Sequence, residues 1–147
     1  MLKLDWAYLE GFVRGLTKNH TDVYVFTGPL FVPKSISNDD QYYNFRQSGV
    51  SSSSKAAYRI EYPLLGDVPN VAVPTHFYKI VLVSGVDTDY LLGAFVLPNQ
   101  NIDSSTPLAD FEVELTAIER LSGLQFFEKL DRSSLGKLCE QSACKLK

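Results

Sequence analysis

The stretch Val71-Ala72-Val73-Pro74-Thr75-His76-Phe77-Tyr78-Lys79-Ile80-Val81-Leu82-Val83, followed after Gly85 to Asp89 by Tyr90-Leu91-Leu92-Gly93-Ala94-Phe95-Val96-Leu97, decides the fold. β-Branched and aromatic residues dominate both segments, so each reads as a strand, with a break at Pro74 because proline brings no N–H to a ladder. Strands joined by so short a connection pair antiparallel. Tyr58 to Leu65, ended by Gly66-Asp67, reads as a further strand. Upstream, Asp22-Val23-Tyr24-Val25-Phe26, stopped by Thr27-Gly28-Pro29, reads as a strand buried on both faces.

Helices flank these strands. Trp6, Leu9, Val13 and Leu16, with Phe12 beside them, recur at helical spacing and bury one face. Asp5 suits its first turn, and Gly15 with the polar run Thr17 to Thr21 marks its end. Downstream, Asp110 to Glu114 reads as a short extended piece leading into an amphipathic helix over Leu115 to Leu121, closed by Gly123. A last helix is expected over Ser133 to Ser142, capped by Ser133 or Ser134. No internal repeat is visible. These elements make one α+β domain over residues 1–147, a largely antiparallel sheet with flanking helices. A serine-rich insertion over residues 35–55 interrupts it. Seven serines between Ser35 and Ser54, with few aliphatics, cannot bury enough apolar area to offset ordering entropy, so this segment reads as flexible. Tyr42, Tyr43, Phe45 and Arg46 within it either anchor the loop or stack on bases.

Composition narrows the class. The chain has 147 residues, 45% apolar and 21% charged, which suits a packed globular core and argues against wholesale disorder. Its longest apolar runs, such as Ile80 to Val83, are far short of the roughly 20 residues that cross a bilayer. Met1 leads into Lys3, Asp5 and Trp6 with no apolar h-region, so no secretory leader is expected. The net charge of -3 disfavours a generic basic nucleic-acid binder. That charge is uneven, with a balance of +2 over residues 1–60 and -5 over residues 61–147, which leaves room for a local basic surface.

Chemistry-bearing residues are sparse. Of the two histidines, His20 stands at the expected end of the first helix, where an imidazolium favours the dipole. His76 falls within a strand, with Tyr78 on its face and Phe77 and Lys79 on the other, and reads as a hydrogen-bonded structural residue. There is no glycine-rich phosphate loop, no Gly-x-Ser-x-Gly elbow and no His-Glu-x-x-His pair. Glu10 and Arg14, four apart beside the apolar stripe of the first helix, read from spacing alone as a surface ion pair. Cys139 and Cys144 are two thiols or one local disulfide, and a zinc site there would need distant ligands.

Ordered strings add what spacing does not. Trp6-Ala7-Tyr8-Leu9-Glu10, Arg14-Gly15-Leu16, Val25-Phe26-Thr27-Gly28-Pro29-Leu30, Val71 to Lys79, Ala94-Phe95-Val96-Leu97-Pro98-Asn99 and Ile118-Glu119-Arg120-Leu121-Ser122-Gly123-Leu124 together resemble the DNA/RNA non-specific endonucleases of the ββα-metal superfamily, endonuclease G type. The tail from Leu138-Cys139 to Cys144 is similar to fungal mitochondrial nucleases. The resemblance covers residues 5 to about 147, the serine-rich insertion apart.

That resemblance implies a Mg²⁺-dependent, sugar-non-specific endonuclease that hydrolyses DNA and RNA, with Mn²⁺ as a substitute metal, a mitochondrial location and a homodimer. Glu10 matches the family glutamate that reaches the metal through bound water, and Arg14 matches the arginine one turn later that stabilises the transition state. The family's metal-binding Asn falls on Leu2, which has no side-chain oxygen. Its Asp-Arg-Gly-His motif would precede Met1, and neither His20 nor His76 takes that histidine's place. The chain thus resembles the C-terminal half of such an enzyme, and the resemblance implies little activity in isolation. The alternative is a catalytically dead nucleic-acid-binding or dimerisation remnant with open strand edges.

Overall fold

The computed structural model describes residues 3–36, 42–43, 57–84, 90–103, 105–141 and 144. In chain order these form α1 (Lys3–Leu16), β1 (Val23–Leu30), β2 (Lys34–Ser35), β3 (Tyr58–Arg59), β4 (Leu64–Leu65), β5 (Val71–Ala72), β6 (His76–Ser84) and β7 (Tyr90–Pro98). A 3₁₀ turn (Leu108–Phe111), α2 (Leu115–Ser122), a second 3₁₀ turn (Arg132–Ser134), β8 (Gly136–Lys137) and α3 (Leu138–Gln141) follow.

β6 and β7 form the expected antiparallel pair, from His76 opposite Pro98 to Ser84 opposite Tyr90. The break at Pro74 is also realised, because β5 ends at Ala72 and β6 begins at His76. β1 pairs antiparallel with the other side of β6. The two residues of β8 join β7 in parallel, giving the order β1-β6-β7-β8. The chain is therefore α+β, with a largely antiparallel sheet flanked by helices.

Side-chain alternation sorts the sheet into two cores. Leu9 and Leu16 of α1 pack on Val81, Val83, Leu91, Phe95 and Leu97, joined by Leu108 and Leu138. On the opposite face, Leu115 and Ile118 of α2 pack with Phe126 on Leu30, Tyr78, Ile80, Ala94 and Val96. Gly123, at φ 72°, ends α2 in the left-handed region that an L side chain rarely adopts. Beyond it, the Glu119 carboxylate accepts the Phe126 N–H at 2.8 Å and two Arg132 N–H groups at 2.9 and 2.7 Å. Arg132 also donates to the Phe126 carbonyl. This clamp sets Phe126 and Phe127 edge-on to Phe26, with centroids 5.5 and 5.4 Å apart.

Several sequence expectations need correction. β1 is not buried on both faces: it is the edge strand, and Tyr24, Val25 and Phe26 are 47%, 41% and 41% exposed. Its residue types report strand propensity, which does not distinguish an edge from a centre. Nor does it stop at Thr27-Gly28-Pro29. An edge strand tolerates Pro29, and Gly28 leaves room for Tyr78, whose ring atoms would lie 2.7 Å from a Cβ there.

The strand expected over Tyr58 to Leu65 is two short pieces, β3 and β4, on either side of Pro63. Asp110 to Glu114 is only partly extended, because the 3₁₀ turn runs to Phe111 before Glu112 bridges to Phe95. The single helix expected over Ser133 to Ser142 is divided, because Gly136 and Lys137 pair with Leu91 and Leu92. Its cap is Asp131, whose carboxylate accepts Ser133 N–H at 3.0 Å, rather than Ser133 or Ser134.

In the serine-rich segment, Ser35 pairs with Tyr58, so the insertion is not irregular from its first residue. Tyr42 and Tyr43 do anchor the loop: the Tyr42 ring stands edge-on to His76 at 4.8 Å, and Tyr43 N–H donates to the Pro33 carbonyl at 2.8 Å. Residues 37–41 and 44–56, including Phe45 and Arg46, lie outside the described residues. Cys139 and Cys144 form a disulfide, which decides between the two readings of the thiols.

Phe95 is fully buried where β7 meets α1. Phe95→Ala is expected to cost about 3–5 kcal/mol, measured as a lower urea midpoint at unchanged slope.

Candidate active site on the first helix

α1 forms because its apolar residues fall on one stripe, and it docks because that stripe meets the odd-numbered side chains of β6 and β7. Leu9 is fully buried, whereas Glu10 and Arg14 lie on the exposed side of the helix. Their spacing brings them to one face, one turn apart. The ion pair expected between them is not formed among the described residues. Instead, the charge of Glu10 acts on Lys79 of β6.

Sequence reasoning missed Lys79 as part of this site. Its Nζ lies 4.4 Å from the Trp6 ring centroid, in a cation–π contact. Trp6 in turn tilts against Phe77, with centroids 5.8 Å apart. Burial pushes the Lys79 ammonium below the usual lysine range, and the carboxylate of Glu10 pulls it back up. The available signal was a lone lysine in an apolar strand, on the same face as Phe77.

The two histidines have other work. His20 closes the helix through its backbone N–H, which donates to the Leu16 carbonyl at 3.0 Å. Its ring does not cap the helix: Nδ1 donates to the Ser84 carbonyl at 2.5 Å, tying the loop after α1 to β6. His76 is buried, with Nδ1 3.0 Å from Thr75 Oγ1. That hydroxyl donates to the Leu30 carbonyl and accepts the Val32 N–H, so the imidazole supplies the proton of its own contact. The structural reading of His76 therefore holds.

A cleft of about 520 Å³ opens elsewhere, lined by residues including Glu112, Glu114, Thr116, Arg132 and Lys137. It lies on the α2 side of the sheet, away from Glu10 and Arg14, because Leu92 and Ala94 line it from the opposite face of β7. Among the described residues no three His, Cys, Asp or Glu side chains gather in a metal-holding group. No described helix is long and apolar enough to cross a membrane.

Burial lowers the His76 pKa from 6.5 to about 4. Between those values the native state binds fewer protons than the unfolded state, so stability falls as pH drops from about 6.5 to about 4 and this loss ends below that. The full contribution is on the order of 3 kcal/mol. Urea titrations of the wild type and His76→Gln across this range are expected to show a weaker pH dependence in the variant.

Residues 3–133 match the family model described as DNA/RNA non-specific endonuclease. A nuclease of Syncephalastrum racemosum is 54% identical over 143 residues, covering 97% of this chain and 41% of that protein. The mitochondrial nuclease of Saccharomyces cerevisiae is 36% identical over 146 residues, covering 96% and 40%. In a solved structure of the EndoG/EndoGI complex, the matching chain gives a TM-score of 0.71 at 36% identity, over 88% of this chain and 46% of its own length. The chain spans about two fifths of the length of these curated relatives. With α1, the three long strands β1, β6 and β7, and the Glu119 and Arg132 clamp matched in one continuous span, the chain belongs to the DNA/RNA non-specific endonuclease family.

Proposed function

We propose that this chain supplies the Glu10 and Arg14 side of a nuclease site that hydrolyses phosphodiester bonds in DNA and RNA. The observation that carries this reading is the exposed pair one turn apart on α1, a helix pinned from behind by Leu9 and Trp6. Arg14 suits a phosphate because its planar guanidinium offers paired donors to oxygens that gain charge in the transition state. Glu10 suits an acceptor that orients a water molecule beside that phosphate. A mitochondrial location belongs to the same proposal, supported by relatives named mitochondrial nucleases.

Mg²⁺, with Mn²⁺ as its substitute, is the cofactor proposed for the complete site. The described residues do not make a direct site for it. Glu10 is one carboxylate without a surrounding group of metal-holding side chains among the described residues, and residue 2 is Leu. Mg²⁺ needs near-octahedral oxygen ligation, which one carboxylate does not supply.

Purified chain incubated with plasmid DNA and with RNA, with and without Mg²⁺, is expected to give little or no metal-dependent cleavage. Robust Mg²⁺-dependent cleavage that disappears in Glu10→Ala would overturn that expectation while placing Glu10 in a working site.

A second reading, a nucleic-acid-binding or dimerisation remnant, is favoured by one observation. The edge strand β1 exposes Tyr24, Val25 and Phe26, an uncharged row suited to pairing with a second copy. Under this reading, sedimentation of the chain shows concentration-dependent dimers that Val25→Lys removes. A monomer at every concentration rules out the dimer.

A further inference from the structure

We propose that Lys79 is a positioning residue of the candidate site, holding the Glu10 and Trp6 face of α1 over the sheet. The proposal rests on the reading of Glu10 as part of a nuclease site and goes beyond it by naming the group that acts through Glu10. Among the described residues, Lys79 is the buried Lys or Arg, only 5% exposed. Its place in the register explains why it does not reach water: Lys79 pairs with Thr27 on one side and Phe95 on the other, in the interior strand β6.

An ammonium in that position is costly to desolvate. A Leu or Met of similar size would fill the space without that cost, and apolar replacement of buried charge is often neutral or stabilising. What the ammonium has in return is specific. Its Nζ lies on the Trp6 ring, and the opposing charge that acts on it is Glu10, one turn further along the same helix. No ion pair within 4 Å joins Lys79 to Glu10 among the described residues, so the carboxylate stays on the exposed side of α1. Lys79 therefore works from behind: it fixes the ring at position 6, with the carboxylate at position 10 as its counter-charge on the exposed side of the same helix.

Trp6 is the sole tryptophan of the chain, so its fluorescence reports this arrangement directly. Glu10→Gln is expected to shift Trp6 emission in the wild-type background by releasing Lys79 from its counter-charge. Lys79→Met should shift the emission itself and abolish the response to Glu10→Gln, whereas Lys79→Arg should keep that response. An unchanged spectrum in folded Lys79→Met, or a Glu10→Gln response that persists in it, overturns the proposal. If Lys79→Met does not fold by circular dichroism, Lys79→Arg decides: a folded variant that loses the Glu10 response overturns it, and one that keeps it supports it. Where the chain cleaves plasmid in a Glu10-dependent manner, Lys79→Met is expected to lower kcat with KM unchanged. Cleavage that Glu10→Ala leaves intact counts against the nuclease reading alone, because the fluorescence coupling is read without substrate.

Discussion

The docking of α1 on the odd-numbered face of β6 and β7 is the interaction on which the rest depends. Leu9 and Phe95 are fully buried where the helix meets the sheet, and the strands beneath them are fixed by a continuous antiparallel register. Burial of side chains of this size is worth roughly 1.5–3 kcal/mol each, against a few tenths for an exposed helical ion pair. Packing, rather than surface charge, therefore determines where Glu10 and Arg14 stand. The polar groups inherit their positions from an apolar stripe.

The other face of the sheet has a different organisation. There α2 is short, and the loop after it is held by the Glu119 and Arg132 clamp. The neighbouring guanidinium holds the Glu119 carboxyl below its usual range, and the same carboxylate accepts the Phe126 N–H. The clamp brings two aromatic rings onto Phe26 of the edge strand, so the loop after α2 also covers part of β1.

Much of this was legible in the residues. The apolar spacing of Trp6, Leu9, Val13 and Leu16 gave α1, and the runs on either side of Gly85 to Asp89 gave the central pair of strands. The exposure of Tyr24 to Phe26 was not legible, because residue type records the preference for extended backbone and neighbouring strands decide burial. The division of the last expected helix was hidden for a similar reason: β8 exists through pairing with β7, a contact distant in sequence. At the candidate site, one-turn spacing foretold a shared face for Glu10 and Arg14 but assigned Glu10 the wrong charged neighbour. Lys79 is 69 residues away in sequence, and only folding brings it to Glu10.

The disulfide between Cys139 and Cys144 closes a loop with a sequence separation of only 5. Chain-entropy reasoning gives so short a ring roughly 2 kcal/mol, the low end of what such bonds contribute. Its larger effect is directional. Cys144 is buried in the core that Leu138 enters, so the bond ties that position to α3 through Cys139. A reductant would thus act first on the tie between Cys144 and α3, at one margin of the same core in which Leu9 meets the sheet.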